Sequence, residues 1–196
     1  LHLPHDIGGD FAHGGGEDAV WLGRSAQFLT VAVDRGNRGT QHVFAATGID
    51  GVDRRVAEAT QGIPHPFPPG AAEAFCTRAM ATGSDEDIWA MDGTRFGLPE
   101  VLGVISLKKM DRAQSEVAFW VAPAFWNHGI ASEAVQALVA ANPQGDKTMF
   151  AEAFQDNPGS ARVLTNAGFQ YLGDAESFSV ARGMTVPTWT YIRKLG

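Results

Sequence analysis

Residues 121–133 read Val-Ala-Pro-Ala-Phe-Trp-Asn-His-Gly-Ile-Ala-Ser-Glu, and this stretch decides the fold. An apolar strand ends at Val121, a short loop follows, and an amphipathic helix begins at Gly129. The first backbone N–H groups of a helix have no partner inside it and carry the positive end of its dipole. An anion such as a pyrophosphate fits there, and a glycine permits its close approach. By itself this junction is a weak signal, because most such junctions bind nothing.

A second helix follows after one intervening strand. Residues 157–169 read Asn-Pro-Gly-Ser-Ala-Arg-Val-Leu-Thr-Asn-Ala-Gly-Phe. Asn157 suits the N-cap, Pro158 suits the first helical position, and Gly168 suits the left-handed position that ends a helix. The sequence therefore predicts two helices that each follow a strand.

The remaining elements alternate in type, and no internal repeat is present. Strands are predicted over residues 27–33, 87–91, 101–108, 116–121, 147–154, 169–172 and 188–193, with helices near 39–47, 52–61, 71–81 and 131–142. Residues 1–24 are glycine-rich and are expected to form an irregular N-terminal arm. This order predicts an α/β fold with a mixed sheet, in a single domain over residues 1–196.

Composition excludes several classes of function. The net charge of −7 disfavours uniform binding to nucleic acid or to an anionic membrane, because a polyanion needs a basic surface. Cys76 is the only cysteine, so an internal disulfide and a cysteine metal site are excluded and a cytoplasmic, reducing location is expected. The chain has no run of apolar residues long enough to span a membrane and no visible signal peptide.

The two helix starts resemble the paired motifs of the GNAT (Gcn5-related) N-acetyltransferases. That family places R/Q-x-x-G-x-G/A at one helix start and N-x-x-[SA]-x-x-[VL]-[LY]-x-x-x-G-F one strand later. The corresponding segments are residues 126–131 and 157–169. The resemblance extends over about residues 51–194 and is strongest to the RimJ/RimL-like branch, whose IPxPY segment is similar to residues 63–67. Trp126 replaces the usual R/Q, as is familiar in that branch.

The resemblance implies the fold and the co-substrate. The expected fold is a GNAT-type mixed, mostly antiparallel central sheet with splayed fourth and fifth strands and helices on both faces. Acetyl-CoA is the expected co-substrate, and no metal is expected. Its pantetheine arm would lie in the gap beside Phe119, Trp120 and Val121. The pyrophosphate would be bound by Trp126, Asn127, His128, Gly129, Ile130, Ala131 and Ser132, the thioester end would face Asn157 and Ser160, and the nucleotide would lie near Arg162 or Asn166.

Acetyl transfer needs a neutral amine, although an α-amine has a pKa of about 7.7–8.0 and a lysine amine one of about 10.4. Glu116 is the candidate base, with Glu152 or a water molecule as the alternative. A backbone N–H near Trp120 or Val121 is the candidate oxyanion donor. The family's usual tyrosine acid corresponds to Leu164, so Ser160 is the candidate donor to the leaving thiolate.

Each of these residues also has a purely structural interpretation. Glu116 is equally consistent with a solvated carboxylate at a strand edge. Ser160 is consistent with hydrogen bonding at the helix start. His128 suits an exposed loop, and Trp120, Trp126 and Phe125 suit core packing as well as a cleft.

Three functions remain open at this point. The first is acetylation of a protein N-terminal α-amine by direct attack in a ternary complex. The second is acetylation of a small amine, such as a polyamine, an amino acid or an aminoglycoside-like compound. The third is a non-catalytic CoA-binding module. The acceptor cleft is expected between the first helices and a loop over residues 180–187, in a monomer or homodimer.

Overall fold

The structure is a computed structural model that describes residues 19–22, 30–34, 53–79, 81, 83–93, 97–98 and 101–196. The helix predicted near residues 39–47 lies outside the described residues. Part of the predicted irregular arm differs from expectation, because Ala19–Leu22 forms a strand, β1. This strand pairs antiparallel with β2, Thr30–Asp34, and the glycine-rich sequence before it gave no sign of that pairing.

Six further strands complete the described sheet. They are β3 (Glu86–Asp92), β4 (Gly103–Met110), β5 (Gln114–Val121), β6 (Thr148–Phe154), β7 (Gln170–Ser179) and β8 (Met184–Lys194). The order across the sheet is β1-β2-β3-β4-β5-β6-β8-β7. All neighbouring strands are antiparallel except β5 and β6, which are parallel. The expected mixed, mostly antiparallel sheet is confirmed.

Four described helices connect or flank these strands. They are α1 (Arg54–Glu58), α2 (Ala71–Ala79), α3 (Ile130–Ala141) and α4 (Pro158–Asn166), with a short 3-10 turn at Pro123–Phe125. The predicted helices at 131–142 and 157–167 agree closely with α3 and α4. The prediction succeeds here because both helices begin and end at strong local signals: Asn157 caps α4 with its side chain and Gly168 adopts φ 80° at its end.

The parallel pair β5–β6 separates along its length. Its pairing runs from Gln114 opposite Thr148 to Val117 opposite Ala151 and then stops. In contrast, β5 stays paired with β4 as far as Val121. The last four residues of β5 therefore border a V-shaped gap that opens toward the start of α3. These strands are the splayed pair that the resemblance implies.

A glycine holds β5 on the β4 side of this gap. Gly103 lies opposite Val121, and an added Cβ would overlap the Trp120 carbonyl oxygen and approach the Val121 Cα to 2.9 Å. Only a residue without a side chain permits this close approach of two backbones. The sequence of β4 thus contributes to the opening on the far side of β5.

The two faces of the sheet carry two apolar clusters. The larger cluster packs α3 and α4 against the sheet and includes Ile105, Val117, Leu138 and Leu164 among its buried residues. The smaller cluster joins α1 and α2 to the opposite face, with Val56 and Ala57 buried and Phe67, Phe75 and Trp120 partly buried against them. Helices therefore cover both faces, as expected.

The C-terminal hairpin is longer than predicted. Strands β7 and β8 pair from Gln170 to Ser179 and from Met184 to Lys194, so the loop expected at residues 180–187 shrinks to a turn over residues 180–183. The pattern was missed because several outward-facing residues of both strands are exposed and apolar, including Phe178 and Met184. These residues blur the alternation that marks a half-buried strand.

Candidate functional site

The start of α3 has unused hydrogen-bond donors. Its N-cap residue is Gly129, at φ 82°, and no side chain accepts from its first turn. In contrast, the side chain of Asp53 accepts from Arg55 N in α1, and that of Asn157 accepts from Ser160 N in α4. The first N–H groups of α3 are therefore available to an anion at the positive end of the helix dipole.

The preceding loop is shaped by two residues in the left-handed region. Asn127 has φ 63° and Gly129 has φ 82°. An added Cβ at Gly129 would meet nothing within 4 Å, so the space beside the loop is open. Both the backbone angle and the space favour glycine here, and a bulky side chain would occupy the volume that a phosphate needs.

Trp126 ties this loop to the end of β5. Its indole Nε1 donates to the Val121 carbonyl over 2.7 Å, while 39% of the residue remains exposed. The Arg55 guanidinium carbon lies 5.3 Å from the centroid of the indole ring, within the range of a cation–π contact. Trp126 thus touches both β5 and α1, and it is not simply a core aromatic residue.

His128 is exposed, and its ring orientation is fixed by its own loop. The Nδ1 atom lies 2.8 Å from the Trp126 carbonyl oxygen. A carbonyl only accepts, so Nδ1 carries the hydrogen, and Nε2 is the unprotonated atom of the neutral ring. In this tautomer Nε2 is an acceptor, so it does not donate to a phosphate.

The backbone of β5 presents specific groups to the gap. Ala122 N donates to Leu102 O over 2.8 Å, so the N–H of Ala122 points toward β4. Alternation along the strand turns the N–H and C=O of Trp120 toward β4 also, and those of Phe119 and Val121 toward β6. Two N–H groups, those of Phe119 and Val121, therefore point into the gap. Trp120 does not join them, because its N–H faces β4.

Glu116 lies at the closed end of the gap. It pairs with Lys108 on β4 and Phe150 on β6, on the face that carries α1 and α2. Burial raises the pKa of the Glu116 carboxyl, the charge of Glu152 raises it further, and Lys108 opposes both effects. A half-buried carboxyl with a raised pKa suits proton transfer near neutral pH.

Glu152 is already committed to hydrogen bonds. Its Oε2 accepts from Gln61 Nε2 over 2.9 Å and from Ser177 Oγ. These bonds join β6 to the chain after α1 and to β7. Glu152 is therefore well placed to connect β6 with these neighbouring segments and to raise the pKa of Glu116. Glu116 is the better candidate base.

Ser160 and Asn157 form a reciprocal pair at the start of α4. Asn157 Nδ2 donates to Ser160 Oγ over 3.0 Å, and Ser160 N donates to Asn157 Oδ1 over 3.2 Å. The structural interpretation of Ser160 is thus realised, but its hydroxyl hydrogen is still free to donate. Leu164 is fully buried in the core, so no proton donor replaces the family's tyrosine there.

The nucleotide-side candidates lie on the outer surface of α4. Arg162 and Asn166 are both exposed, and Asn166 O lies 3.5 Å from Gln136 Nε2 of α3. Beside Asn166 a groove of about 610 Å³ runs between α3, α4 and the end of β8. This groove adjoins the C-terminal halves of α3 and α4, away from the loop at Gly129. The structure therefore separates Asn166 from the donors at the start of α3.

Sequence reasoning missed the residues that come from α1 and the hairpin. Arg55, Gln61 and Ser177 each contact a predicted site residue through long-range pairing. One signal was available in the sequence: residues 113–146 contain no lysine or arginine, so a basic side chain that contacts a phosphate there would have to come from elsewhere in the chain.

Two further features concern the described residues alone. Within them, no group of three or more His, Cys, Asp and Glu side chains is arranged to hold a metal ion. None of the helices in the same ranges combines the length and apolar character that a membrane span requires.

Comparison with known proteins identifies the family. The model of the acetyltransferase (GNAT) domain matches residues 40–170, which is more than half of the chain. No curated protein matches the sequence.

Solved structures share the fold at low identity. A ribosomal-protein-S5-alanine acetyltransferase from Vibrio fischeri has 16% identity and a TM-score of 0.69, covering 89% of this chain and 96% of that one. The acetyltransferase RimL in complex with coenzyme A has 14% identity and a TM-score of 0.71, covering 90% and 98%. A spermidine N-acetyltransferase from Vibrio cholerae in complex with CoA and spermine has 12% identity and a TM-score of 0.66, covering 85% and 95%. Together with the family match, the splayed strands and the uncapped α3 show that the chain belongs to the GNAT superfamily of acetyl-CoA-dependent N-acyltransferases, with relatives of the RimJ/RimL type.

Proposed function

We propose that this enzyme acetylates the N-terminal α-amine of a protein or peptide by direct attack in a ternary complex. The observation that carries the proposal is the position of Glu116. It is a half-buried carboxyl with a raised pKa at the closed end of the β5–β6 gap, on the face covered by α1 and α2. An acceptor that enters from that face meets a base at the point where the acyl group would end.

Acetyl-CoA fits the opposite side of the same gap. The N–H groups of Phe119 and Val121 would hold the pantetheine arm, and the free N–H groups of Ile130, Ala131 and Ser132 would hold the diphosphate. The open space beside Gly129 admits the phosphates. Asn157 and Ser160, at the start of the helix that follows β6, would face the thioester end.

Different residues of the chain would carry out the separate steps of acetyl transfer. When acetyl-CoA is bound, its thioester supplies the acyl group, and the C–S bond breaks as the C–N bond forms. Glu116 accepts the proton of the attacking amine, directly or through a water molecule. A backbone N–H of Val121 or Phe119 stabilises the developing oxyanion, and the Ser160 hydroxyl donates to the departing sulfur.

The base favours an α-amine over a lysine amine. An α-amine has a pKa of about 7.7–8.0, so a substantial fraction is neutral at physiological pH, whereas a lysine amine at about 10.4 is almost fully protonated. A carboxyl remains a weak base even after its pKa is raised, and it therefore suits the more acidic amine. The raised pKa of Glu116 matches this task.

A small polycationic amine is the second candidate. Glu86, Glu116 and Glu152 act on one another electrostatically, since the charges of Glu152 and Glu86 both raise the pKa of Glu116. This acidic face would attract a polyamine as well as a peptide amine. The single cysteine agrees with action in the cytoplasm for either substrate.

Release of free CoA from acetyl-CoA distinguishes the candidates. The panel pairs Ala-, Ser- and Met-initiated peptides with the same peptides blocked at the α-amine, and adds spermidine, spermine and free amino acids. We expect turnover on the unblocked peptides, with mass spectrometry placing the acetyl group on the α-nitrogen. Turnover only on polyamines would favour the second candidate. Tight acetyl-CoA binding without turnover on any amine would favour a non-catalytic CoA-binding module.

A further inference from the structure

The proposed diphosphate site has a charge deficit. Residues 113–146, which include β5, the loop and all of α3, contain no lysine or arginine. The charged residue in the first turn of α3 is Glu133, an acid. A helix dipole supplies the equivalent of only about half a positive charge. A side chain from another part of the chain that donates hydrogen bonds to a doubly charged diphosphate would therefore add to this weak field.

Arg55 on α1 lies against this loop. Its guanidinium carbon is 5.3 Å from the centroid of the Trp126 ring, and Trp126 lies in the loop three residues before Gly129. Its side chain is 63% exposed. The stacking therefore places this guanidinium, paired with the Asp53 carboxylate, beside the loop from a helix on the other face of the sheet.

Asp53 orients this guanidinium without using all its donors. The carboxylate accepts from Arg55 Nε over 3.0 Å and from Nη2 over 2.9 Å. Arginine carries five N–H donors in a planar fork, so both hydrogens of Nη1 and one of Nη2 are still available. Asp53 is itself fixed because its Oδ1 also accepts from Arg55 N at the start of α1.

We propose that Arg55 is a ligand of the CoA diphosphate and that Trp126 and Asp53 hold its guanidinium in place. The inference rests on the proposed binding of acetyl-CoA at the start of α3. In this arrangement Arg55 supplies N–H donors in addition to those of the loop, and Trp126 links Arg55 to β5 through its bond to Val121. A planar guanidinium suits phosphate oxygens better than an ammonium does.

The test compares Arg55→Met with Arg54→Met. Arg54 is the matched control: it lies on the same helix, is 71% exposed and pairs with Glu58 over 2.7 Å. We expect Arg55→Met to weaken acetyl-CoA binding about tenfold in calorimetry, the size of one charge-assisted hydrogen bond. We expect Arg54→Met to change it less than about twofold, and both variants to keep the thermal midpoint of the wild type.

Truncated ligands locate the contact. We expect Arg55→Met to weaken CoA and 3′-dephospho-CoA by the same factor, because both carry the diphosphate. Binding of pantetheine, followed by ligand-observed NMR, should be unchanged. A loss with CoA but not with 3′-dephospho-CoA would assign Arg55 to the 3′-phosphate and overturn the proposal. An equal loss with pantetheine would reveal a packing role and overturn it also, as would unchanged binding of CoA.

The wild-type titration separates this inference from the proposed function. If the wild type binds acetyl-CoA and Arg55→Met binds it equally well, only the role of Arg55 is refuted. If the wild type does not bind acetyl-CoA, the proposed binding site itself is refuted.

Discussion

The indole Nε1 of Trp126 donates a 2.7 Å hydrogen bond to the carbonyl oxygen of Val121. Val121 is the last residue of β5, and its carbonyl points away from β4, into the gap. The bond therefore fixes the distance between the loop at the start of α3 and the strand that borders the gap. The two proposed halves of the CoA site are held together by one side chain.

We predict that Trp126→Phe raises the KM for acetyl-CoA several-fold and leaves kcat within about twofold. Phenylalanine keeps an aromatic ring for Arg55 but cannot donate to Val121, so the expected cost is that of one hydrogen bond, about 1 kcal/mol. Steady-state kinetics against acetyl-CoA measures it, and Trp126→Ala should cost more because the ring is lost too. An unchanged KM for both variants would show that the loop is held by other contacts.

Glu116→Gln should lower kcat/KM for the amine by about 10²–10⁴-fold, the usual contribution of a general base. The Kd for acetyl-CoA should not change, because the carboxyl faces the acceptor side. Glu176→Gln is the control, since Glu176 is an exposed carboxylate on the edge strand β7. The rate of the wild type should rise with pH through the raised pKa of Glu116, and this limb should disappear in the variant. An unchanged rate would remove Glu116 from the mechanism.

The same carboxyl gives a prediction for stability. The pKa of Glu116 is higher in the folded protein than its ordinary value of 4.5, so folding becomes less favourable as pH rises through the interval between the two values. Glutamine does not ionise, and Glu116→Gln should therefore melt at a higher temperature than the wild type at pH 7. The difference should vanish below the unfolded pKa. A lower melting temperature for the variant at pH 7 would contradict the assigned burial.

Gly103→Ala should lower stability by about 1–3 kcal/mol, since the new methyl group overlaps the Trp120 carbonyl and the backbones must separate. Because β5 would then shift toward the gap, acetyl-CoA binding should weaken as well. Gly173→Ala is the matched control, because a Cβ at Gly173 on β7 meets nothing within 4 Å. Denaturant unfolding measures the change in stability, and calorimetry measures the change in acetyl-CoA binding. Equal costs at the two positions would show that the contact with Trp120 is not responsible.

Much of the fold follows from local sequence signals. The amphipathic stretch from Ala131 to Val139, the Asn157 N-cap and the Gly168 cap predict α3 and α4 because each depends on residues close in sequence. Strand β1 and the long β7–β8 hairpin were not predicted. In the hairpin, exposed apolar residues such as Phe178 and Met184 break the expected alternation, and the glycine-rich composition before β1 predicted an irregular arm there.

Some parts of the candidate site could likewise be predicted from local sequence, and others could not. Glu116 and the loop at Gly129 could be named from motif and alternation. The contact of Arg55 with Trp126 and the bonds of Glu152 to Gln61 and Ser177 join residues far apart in the chain. No local pattern encodes such contacts, since the closure of the sheet and the docking of α1 create them.

An amide titration with CoA tests the location of the site most directly. In ¹H–¹⁵N spectra of the wild type, we predict the largest shifts at the N–H groups of Phe119, Val121 and residues 130–132, with smaller shifts at Trp120, whose N–H faces β4. The rival location is the groove of about 610 Å³ beside Gln136, Asn166 and Arg193. Shifts confined to that groove, with the start of α3 unaffected, would contradict the account.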